Sequence, residues 1–535
     1  MLKSWSIENF KPIVNSGELK LAPVTVLAGR NSSGKSSLLQ SILMIAQTLS
    51  NQVPDRPLLP NERIVQLGTF EDILSEFSGS RTITVGFQLD FETEKPFVSR
   101  RISIEEGTVG RSVRISAIFS RGSDTSSSAI EASKVIVDRV VLEIIFEREV
   151  LFEKMESENG SYQREAVPVN LNVVVNRSGD IQLKRFLQNV TLDYLRLVPY
   201  SRRQPNYLGE LRLQHEEIPE LYLVTLSHFL PARLVRKFKV SEYREVHNQL
   251  KTVIEHDKDA EGLEVVNNTH TEALSQVVEQ ITNFFTRKIR YLGPLRADPG
   301  VTQRNFAPTS ELDDVGQKGE YAVIVYHYNQ FAQVEWYNPQ TMQVEQGTLQ
   351  NALDIWVQHL GIATQVRTEI AGLSGITWKI ILKEGQKART LSEVGGGLNY
   401  VLPILVMGLL APSNTLLIVE EPEVTLHARV QARLGDFFVG LSKCKKQCMI
   451  ETHSENLVSQ LRYHIVQSGG QDKSDCIIYF VDQDEKGATR FEPVEISPQG
   501  NILNWPDGFF DETMLQEDRI TAASIKRRAN KVKNG

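Results

Sequence analysis

Residues 29–37, G-R-N-S-S-G-K-S-S, have the G-x-x-x-x-G-K-[ST] spacing of a phosphate-binding loop. Glycines let the backbone wrap a polyphosphate with its N–H groups, and the N-terminus of a following helix adds a favourable dipole. Lys35 would reach the β- and γ-phosphates, and the Ser36 hydroxyl would ligate Mg²⁺. The sequence therefore predicts a site for a nucleoside triphosphate and Mg²⁺. The residues expected to hold the nucleotide are Gly29, Asn31, Gly34, Lys35, Ser36 and Ser37.

Acidic residues follow a second apolar run. Residues 415–423, T-L-L-I-V-E-E-P-E, indicate a buried parallel strand with acids at its carboxyl end, where ligands bind in open α/β sheets. Glu420 would hold Mg²⁺, directly or through water, and Glu421 would orient and polarise the water that attacks the γ-phosphate. The alternative is a pair of solvated acids at a strand end.

A third strand, within residues 448–454 (C-M-I-E-T-H-S), ends about thirty residues later, a typical βαβ interval. Neighbouring parallel strands end at the same edge, so His453 is predicted to contact the γ-phosphate. A structural histidine is the alternative. Gln66 is the only obvious side chain of residues 65–70 that could reach a bound metal or water, although a structural role fits it equally well.

A second glycine-rich stretch, residues 391–400 (L-S-E-V-G-G-G-L-N-Y), precedes the apolar helix expected at 401–407. A serine and glycines at a helix N-terminus form an anion-binding concavity. One active site does not need two such cradles, so this one is predicted to cap the γ-phosphate bound by another copy. The result would be a head-to-tail pair with ATP at the interface. A glycine-rich turn before a buried helix is the alternative. The residues concerned are Ser392, Gly395, Gly396 and Gly397.

These motifs require particular elements around them. A strand is expected at 23–28, a helix at 37–44 and a later core strand at 377–382. Apolar residues alternate with period two from 81 to about 183, which indicates an antiparallel β region. From about 190 to 290 the spacing indicates helices, one through Leu223, Leu226 and Leu230 and another from Leu274 to Phe285.

The predicted organisation has five parts. They are the N-terminal lobe of the ATPase core (1–80), an inserted β region (81–190), a helical insertion (191–290), the C-terminal lobe of the core (291–470), and a C-terminal extension with a basic tail (471–535). The fold class is α/β, with a nucleotide-binding core around a mixed sheet.

Composition limits the possible functions. With 535 residues the chain is too long for one ordinary core, and 41% hydrophobic with 23% charged residues is typical of a globular protein. A net charge of −7 argues against general nucleic-acid binding. The three cysteines lack metal-ligand spacing. Without a membrane-length apolar run or a secretory signal, a cytoplasmic protein is expected.

The order of these motifs resembles ABC-type ATPases of the SMC-like and OLD-like class. Residues 293–296 (G-P-L-R) and the tail at 500–511 are similar to bacterial stand-alone AAA-family proteins with a C-terminal domain of unknown function. That wider group includes ATPases of the Septu, PARIS and retron anti-phage systems. The resemblance implies an ATP-gated homodimer or higher oligomer that controls a separate nuclease or toxin. Thr425 stands where relatives often carry histidine.

Other functions remain open at this stage. A DNA-repair or recombination ATPase would bind DNA through local basic clusters, whose alternative explanation is a solvated helix face. An OLD-like nuclease would need a metal site near 482–484 (D-Q-D), although the following residues indicate a turn. The basic clusters are Arg233, Arg236, Lys237 and Lys239, and then Arg287, Lys288 and Arg290.

Overall fold

The computed structural model describes most of the chain outside the middle third. The described residues are 1–51, 57–91, 111–121, 128–137, 140–146, 171–174, 222–236, 256–258, 264–266, 272–297, 313–370, 375–468, 475–504, 506, 516 and 519–524. No helix among them is long and apolar enough to cross a membrane.

The described residues form strands and helices with the following bounds. The strands are β1 (Leu2–Phe10), β2 (Ile13–Asn15), β3 (Leu19–Lys20), β4 (Val24–Gly29), β5 (Thr82–Phe91), β6 (Arg111–Arg121), β7 (Ser128–Val137), β8 (Val140–Phe146), β9 (Leu171–Val174), β10 (Tyr222–Ser227), β11 (Leu230–Arg236), β12 (His256–Lys258), β13 (Glu264–Val266), β14 (Ile289–Leu292), β15 (Gln333–Asn338), β16 (Gln343–Thr348), β17 (Gln365–Ile370), β18 (Ile376–Ile381), β19 (Leu416–Glu420), β20 (Gln447–Thr452), β21 (Cys476–Gln483) and β22 (Thr489–Pro493). The helices are α1 (Lys35–Ser50), α2 (Glu272–Arg287), α3 (Ala322–Asn329), α4 (Leu349–Leu360), α5 (Gly397–Leu410), α6 (Ala428–Lys443) and α7 (Glu455–Gln467).

The chain divides into two compact units. The nucleotide unit comprises residues 1, 12–40 and 288–535, and the insertion unit comprises residues 2–11 and 41–287. This division differs from the predicted domains, because residues 2–11 and 41–80 group with the insertion rather than with the predicted N-terminal lobe. The other predicted boundaries stay predictions.

The nucleotide unit is built on a six-stranded mixed sheet in the order β14-β19-β20-β4-β21-β22. The pairs from β14 to β21 are parallel, and β22 is antiparallel to β21. All residues of β19 and β20 are buried, as their continuous apolar sequences predict for parallel strands covered on both faces. The strand expected at 23–28 is confirmed as β4. Residues 377–382 were expected to form a later strand of this core, but their strand, β18, pairs with β17 in a separate two-stranded sheet.

Helices cover this sheet with a continuous apolar core. In α5, every residue from Val401 to Leu409 is buried, which explains why its sequence is apolar on all sides. The Trp356 and Phe437 rings of α4 and α6 meet edge to face, with centroids 4.9 Å apart. The expected helix at 401–407 is confirmed within α5.

The insertion unit contains the predicted antiparallel region. Its strands run in the order β1-β5-β6-β7-β8-β9, and each neighbouring pair is antiparallel. Trp5 stacks on Phe87 with centroids 5.7 Å apart, and its indole N–H donates to Ser41 Oγ at 2.9 Å. The α/β core with an inserted antiparallel region is therefore confirmed.

The prediction of a helix through Leu223, Leu226 and Leu230 is wrong. These residues form the antiparallel hairpin of β10 and β11. Pairing in a hairpin depends on the partner strand, and the spacing of three leucines does not report it. Of the predicted helical insertion at 191–290, the described part contains one helix, α2, which confirms the expected helix from Leu274 to Phe285.

The C-terminal part also differs from its prediction as an extension. Residues 476–493 form β21 and β22, and β21 pairs with the phosphate-loop strand β4 from Val24 to Gly29. These residues therefore complete the core sheet. The basic tail lies outside the described residues.

Candidate nucleotide site

The phosphate loop connects the end of β4 to the start of α1. Lys35 is 3% exposed, and its ammonium donates to the carbonyl oxygens of Gly29 at 3.2 Å and Arg30 at 2.6 Å. Burial lowers the pKa of Lys35, while the nearby Glu451 carboxylate opposes that shift. The loop and the N-terminus of a sixteen-residue helix thus provide N–H groups and a buried cation for a polyphosphate.

The hairpin of β21 and β22 packs against this loop. Gln483 donates to the Ser32 carbonyl oxygen at 3.0 Å, and the Thr489 hydroxyl donates to the Ser33 carbonyl oxygen at 2.8 Å. A β-carbon at Gly34 would lie 2.1 Å from Thr489 Oγ1. Glycine is therefore required at this position by close packing as well as by its φ of +102°.

The acidic strand ends beside the histidine strand. Glu420 of β19 and Glu451 of β20 are register partners in adjacent parallel strands. Glu421 follows with a φ of +45°, and its N–H donates to the Glu451 carbonyl oxygen at 2.8 Å. Such a backbone conformation is strained for a residue other than glycine and is found preferentially at functional sites.

Neighbours from β14 and from the segment after it hold Glu420. The Tyr291 hydroxyl donates to Glu420 Oε1 at 3.0 Å, and the Arg296 guanidinium donates to the Glu420 carbonyl oxygen at 3.2 Å. Burial, followed by repulsion from Glu451, raises the pKa of Glu420 to about 8. The G-P-L-R segment at 293–296 thus carries a side chain that contacts the acidic strand.

Glu451 is a site residue that the sequence reasoning missed. The Ser36 hydroxyl donates to Glu451 Oε1 at 2.9 Å, and Glu451 is only 4% exposed. Burial raises the pKa of Glu451 to about 7, although the Ser36 hydrogen bond and Lys35 oppose the shift. The available signal was an acid inside an apolar strand two residues before His453.

His453 lies among the predicted site residues. Its backbone N–H donates to a Glu423 carboxylate oxygen. Burial and then the Lys35 cation lower the pKa of His453, while Glu421 and the backbone of Gly29 raise it. The structure therefore brings Lys35, Ser36, Glu420, Glu421 and His453 to one edge of the sheet, as the sequence predicted.

The second glycine-rich stretch is exposed at the start of α5. Ser392 lies in a 3-10 turn spanning Leu391–Glu393, and its hydroxyl is 2.9 Å from Thr390 Oγ1. A β-carbon at Gly395 or Gly396 would meet nothing within 4 Å. This accessible helix N-terminus is compatible with the predicted contact to a second copy, which stays a prediction.

Oxygen donors at the sheet edge fit Mg²⁺, which prefers carboxylate, hydroxyl and phosphate oxygens. Ser36 Oγ and the Glu420 and Glu451 carboxylates are such donors, and Glu451 Oε2 is buried without a hydrogen-bond partner. The described residues contain no group of three or more His, Cys, Asp or Glu side chains arranged for a metal. Gln66 is exposed in the insertion unit, and its predicted metal role stays a prediction.

One of the two acids proposed as ligands in the nuclease alternative has a structural contact. Asp484 Oδ1 accepts hydrogen bonds from the backbone N–H groups of Lys486 and Ala488, each at 2.9 Å, and so closes the turn between β21 and β22.

Among the basic clusters, Arg290 is paired with Asp313 at 2.5 Å, while Lys237 and Lys239 lie outside the described residues.

Two family profiles match the chain. Residues 326–459 match "AAA domain, putative AbiEii toxin, Type IV TA system", and residues 472–519 match "Protein of unknown function (DUF3696)". The chain thus contains a region similar to AAA-family domains, followed by a region similar to a domain of unknown function. The second profile begins just before β21, so the matched region includes the hairpin that contacts the phosphate loop.

Solved structures that match this chain include the SMC head domain from Thermotoga maritima, at 11% identity and a TM-score of 0.36, covering 92% of this chain and 99% of that chain. Another is an SMC head bound to the C-winged helix domain of ScpA, at 10% identity and a TM-score of 0.39, covering 93% and 98%. At this identity and TM-score, neither structure assigns a function or a partner to this chain. Among curated proteins, none matches the sequence.

Proposed function

We propose that this protein binds and hydrolyses ATP and works as a dimeric switch that controls a separate effector. The observation that supports hydrolysis is the meeting of Lys35, Ser36, Glu421 and His453 at one sheet edge. When bound, Mg²⁺ neutralises phosphate charge, and Ser36 and Glu420 would hold it there.

The protein's own residues have separate tasks in this proposal. Lys35 and the loop N–H groups bind the β- and γ-phosphates, together with Gly29, Asn31, Gly34 and Ser37. Glu421 orients and polarises the attacking water, and His453 contacts the γ-phosphate oxygens.

The switch requires a second subunit. Ser392 and Gly395–Gly397 would cap the γ-phosphate bound by the other copy, so that ATP closes the pair and hydrolysis opens it. A separate nuclease or toxin would respond to this difference, in anti-phage defence. The matched profile description, which names a toxin of a type IV TA system, supports a role in such control systems. A neighbouring reading frame for an HNH nuclease or toxin would identify the effector.

Substitutions separate binding from turnover. Lys35→Ala is expected to abolish ATP binding, because it removes the cation held inside the loop. Glu421→Gln is expected to retain binding and to lower hydrolysis by about 10²–10⁴-fold, the usual range for a lost general base. Glu455→Gln, at an exposed position in the first turn of α7, is the matched control. Unchanged hydrolysis in Glu421→Gln would contradict the assignment.

DNA binding is the alternative ligand hypothesis. It predicts salt-sensitive binding that is lost when the charges of the Arg233–Lys239 cluster or of the Arg287–Arg290 cluster are removed. Gel-shift titration of the two charge-removed variants against the unmodified protein tests it, and unchanged binding in both would contradict it.

A further inference from the structure

The strand that leads into His453, β20, carries an acid without an assigned role. In the parallel sheet, β20 lies between β4 and β19, and Glu451 is the register partner of Leu27 on one side and Glu420 on the other. Glu451 therefore lies between the strand that leads into the phosphate loop and the strand that carries the predicted metal-binding acid.

A direct contact connects this acid to the phosphate loop. Ser36 Oγ donates to Glu451 Oε1 at 2.9 Å. Ser36 is the hydroxyl expected to ligate the divalent cation, so an ion on that hydroxyl lies within reach of the carboxylate it contacts. The Glu420 carboxylate has a different partner, because its Oε1 accepts a hydrogen bond from the Tyr291 hydroxyl.

The second oxygen of this carboxylate gives an independent indication of a ligand. Glu451 is 4% exposed, and its Oε2 is buried without a hydrogen-bond partner. Leaving a buried acceptor without a partner destabilises the fold, and a charged one does so more strongly, so native proteins rarely retain one without a function. A cation on Oε2 would satisfy this atom.

We propose that Glu451 is an oxygen ligand of the divalent cation that binds with the nucleotide, acting together with the Ser36 hydroxyl. This inference rests on the proposed ATP function and adds a chain-specific ligand to it. Two carboxylates, a serine hydroxyl and phosphate oxygens form the oxygen-only set that Mg²⁺ and Mn²⁺ accept.

Mn²⁺ binding tests the proposal without relying on hydrolysis. Free Mn²⁺ is measured by electron paramagnetic resonance during titration of the full-length protein with a non-hydrolysable ATP analogue. Glu451→Gln is expected to weaken Mn²⁺ binding by about 10-fold or more, the scale seen when a metal-supporting side chain is lost. Analogue binding in EDTA is expected to stay unchanged.

Matched variants give the test its specificity. Glu455→Gln removes one negative charge four positions away at an exposed site and is expected to keep full Mn²⁺ affinity. Ser36→Ala should weaken binding, and combining it with Glu451→Gln should add little, because ligands of one ion are coupled. Circular dichroism checks folding. If the glutamine variant does not fold, Glu451→Asp should also weaken Mn²⁺ binding, because its carboxylate is one methylene shorter.

Two results would overturn the proposal, and they differ. Unchanged Mn²⁺ affinity in a folded Glu451 variant would remove Glu451 from the metal site while leaving the ATP function intact. Failure of the unmodified protein to bind the analogue at all would remove the proposed ATP function and this inference with it.

Discussion

At the residue scale, the shape of the phosphate loop depends on close backbone contact at Gly29. This residue has a φ of +151°, and a β-carbon there would lie 2.0 Å from the Val481 carbonyl oxygen. Because that oxygen belongs to the backbone of a paired strand, it cannot rotate away. Gly29→Ala is therefore expected to lower the free energy of unfolding by about 2–4 kcal/mol and to weaken ATP binding.

Gly395→Ala is the matched glycine control for stability. A β-carbon at Gly395 meets nothing within 4 Å, so the free energy of unfolding of this variant should lie within about 0.5 kcal/mol of the value for the unmodified protein. Denaturant titration and nucleotide titration of both variants provide the comparison. Equal loss of stability at the two glycines would show that steric contact at Gly29 is not the cause.

Sequence reasoning identified most of the site because each motif joins an apolar strand to polar residues at its end. Lys35, Glu421 and His453 follow that rule, and parallel pairing brings their strand ends together. Glu451 does not follow it, because it precedes the strand end and belongs to no spacing pattern. Its contact with Ser36 joins residues 415 positions apart, which only the folded sheet reveals.

At the element scale, three helices of the nucleotide unit meet at one partly buried carboxylate. Asp436 of α6 is 2.7 Å from the Nε2 atoms of His359 of α4 and His464 of α7, and it accepts from Gln460 at 2.6 Å. Although burial raises the pKa of Asp436, these hydrogen bonds lower it well below its usual range. The carboxylate therefore stabilises the folded state only while ionised.

This arrangement predicts an acid-dependent loss of stability. Because the folded pKa of Asp436 is depressed, its contribution is complete above the unfolded value near 4 and is lost as the pH falls further. Asp436→Asn should lower the free energy of unfolding by about 1–3 kcal/mol at pH 6. The difference in free energy of unfolding between the variant and the unmodified protein should become smaller below pH 4. Urea unfolding at several pH values measures it.

The control is Glu369→Gln at a surface ion pair. Glu369 lies 2.6 Å from Lys379, but its side chain is 59% exposed. The substitution should therefore lower the free energy of unfolding by no more than about 1 kcal/mol. If the stability difference between Asp436→Asn and the unmodified protein did not change with pH, the hydrogen bonds of the ionised carboxylate would not be its cause.

The hairpin of β21 and β22 is expected to position the phosphate loop. Thr489→Val removes the hydroxyl that donates to the Ser33 carbonyl oxygen at 2.8 Å while keeping the side-chain shape. About 1 kcal/mol of hydrogen-bond energy is lost, so ATP affinity should fall about fivefold if the bond holds the loop in its binding conformation. Isothermal titration calorimetry measures the affinity.

A second threonine makes the same kind of bond elsewhere. Thr364 Oγ1 donates to the Ile381 carbonyl oxygen at 2.8 Å, so Thr364→Val should reduce stability without changing ATP affinity. Equal effects on affinity from both variants would mean that the hairpin has only a structural role.

The wrong helix at 223–230 illustrates the limit of periodicity. Residues 222–227 contain leucines with helical spacing, yet their backbone pairs with β11 through a two-residue turn at His228 and Phe229. The Phe229 ring packs edge to face on Phe119 with centroids 5.5 Å apart. This long-range packing outweighs local spacing, as is common for β-structure.

At the scale of the whole molecule, the exposed start of α5 is the feature that a single chain leaves without an evident task. Gly395 and Gly396 are exposed and have open space around them, whereas the glycines of the phosphate loop are closely packed. If these residues cap ATP bound by a second copy, their substitution should affect assembly and leave nucleotide binding by the single chain unchanged.

Gly395→Asp in a Glu421→Gln background tests this expectation. The added carboxylate would face the γ-phosphate of the other copy, and like charges at such a contact cost several kcal/mol. Glu421→Gln alone should dimerise with ATP, because bound ATP is not hydrolysed, and the double variant should remain monomeric with unchanged ATP affinity. Analytical ultracentrifugation with and without ATP measures the mass. Gly79→Asp adds the same charge at another exposed, open glycine and should still dimerise. A monomeric Glu421→Gln protein at saturating ATP would show that the site functions within one chain, so the Ser392–Gly397 stretch would need another explanation.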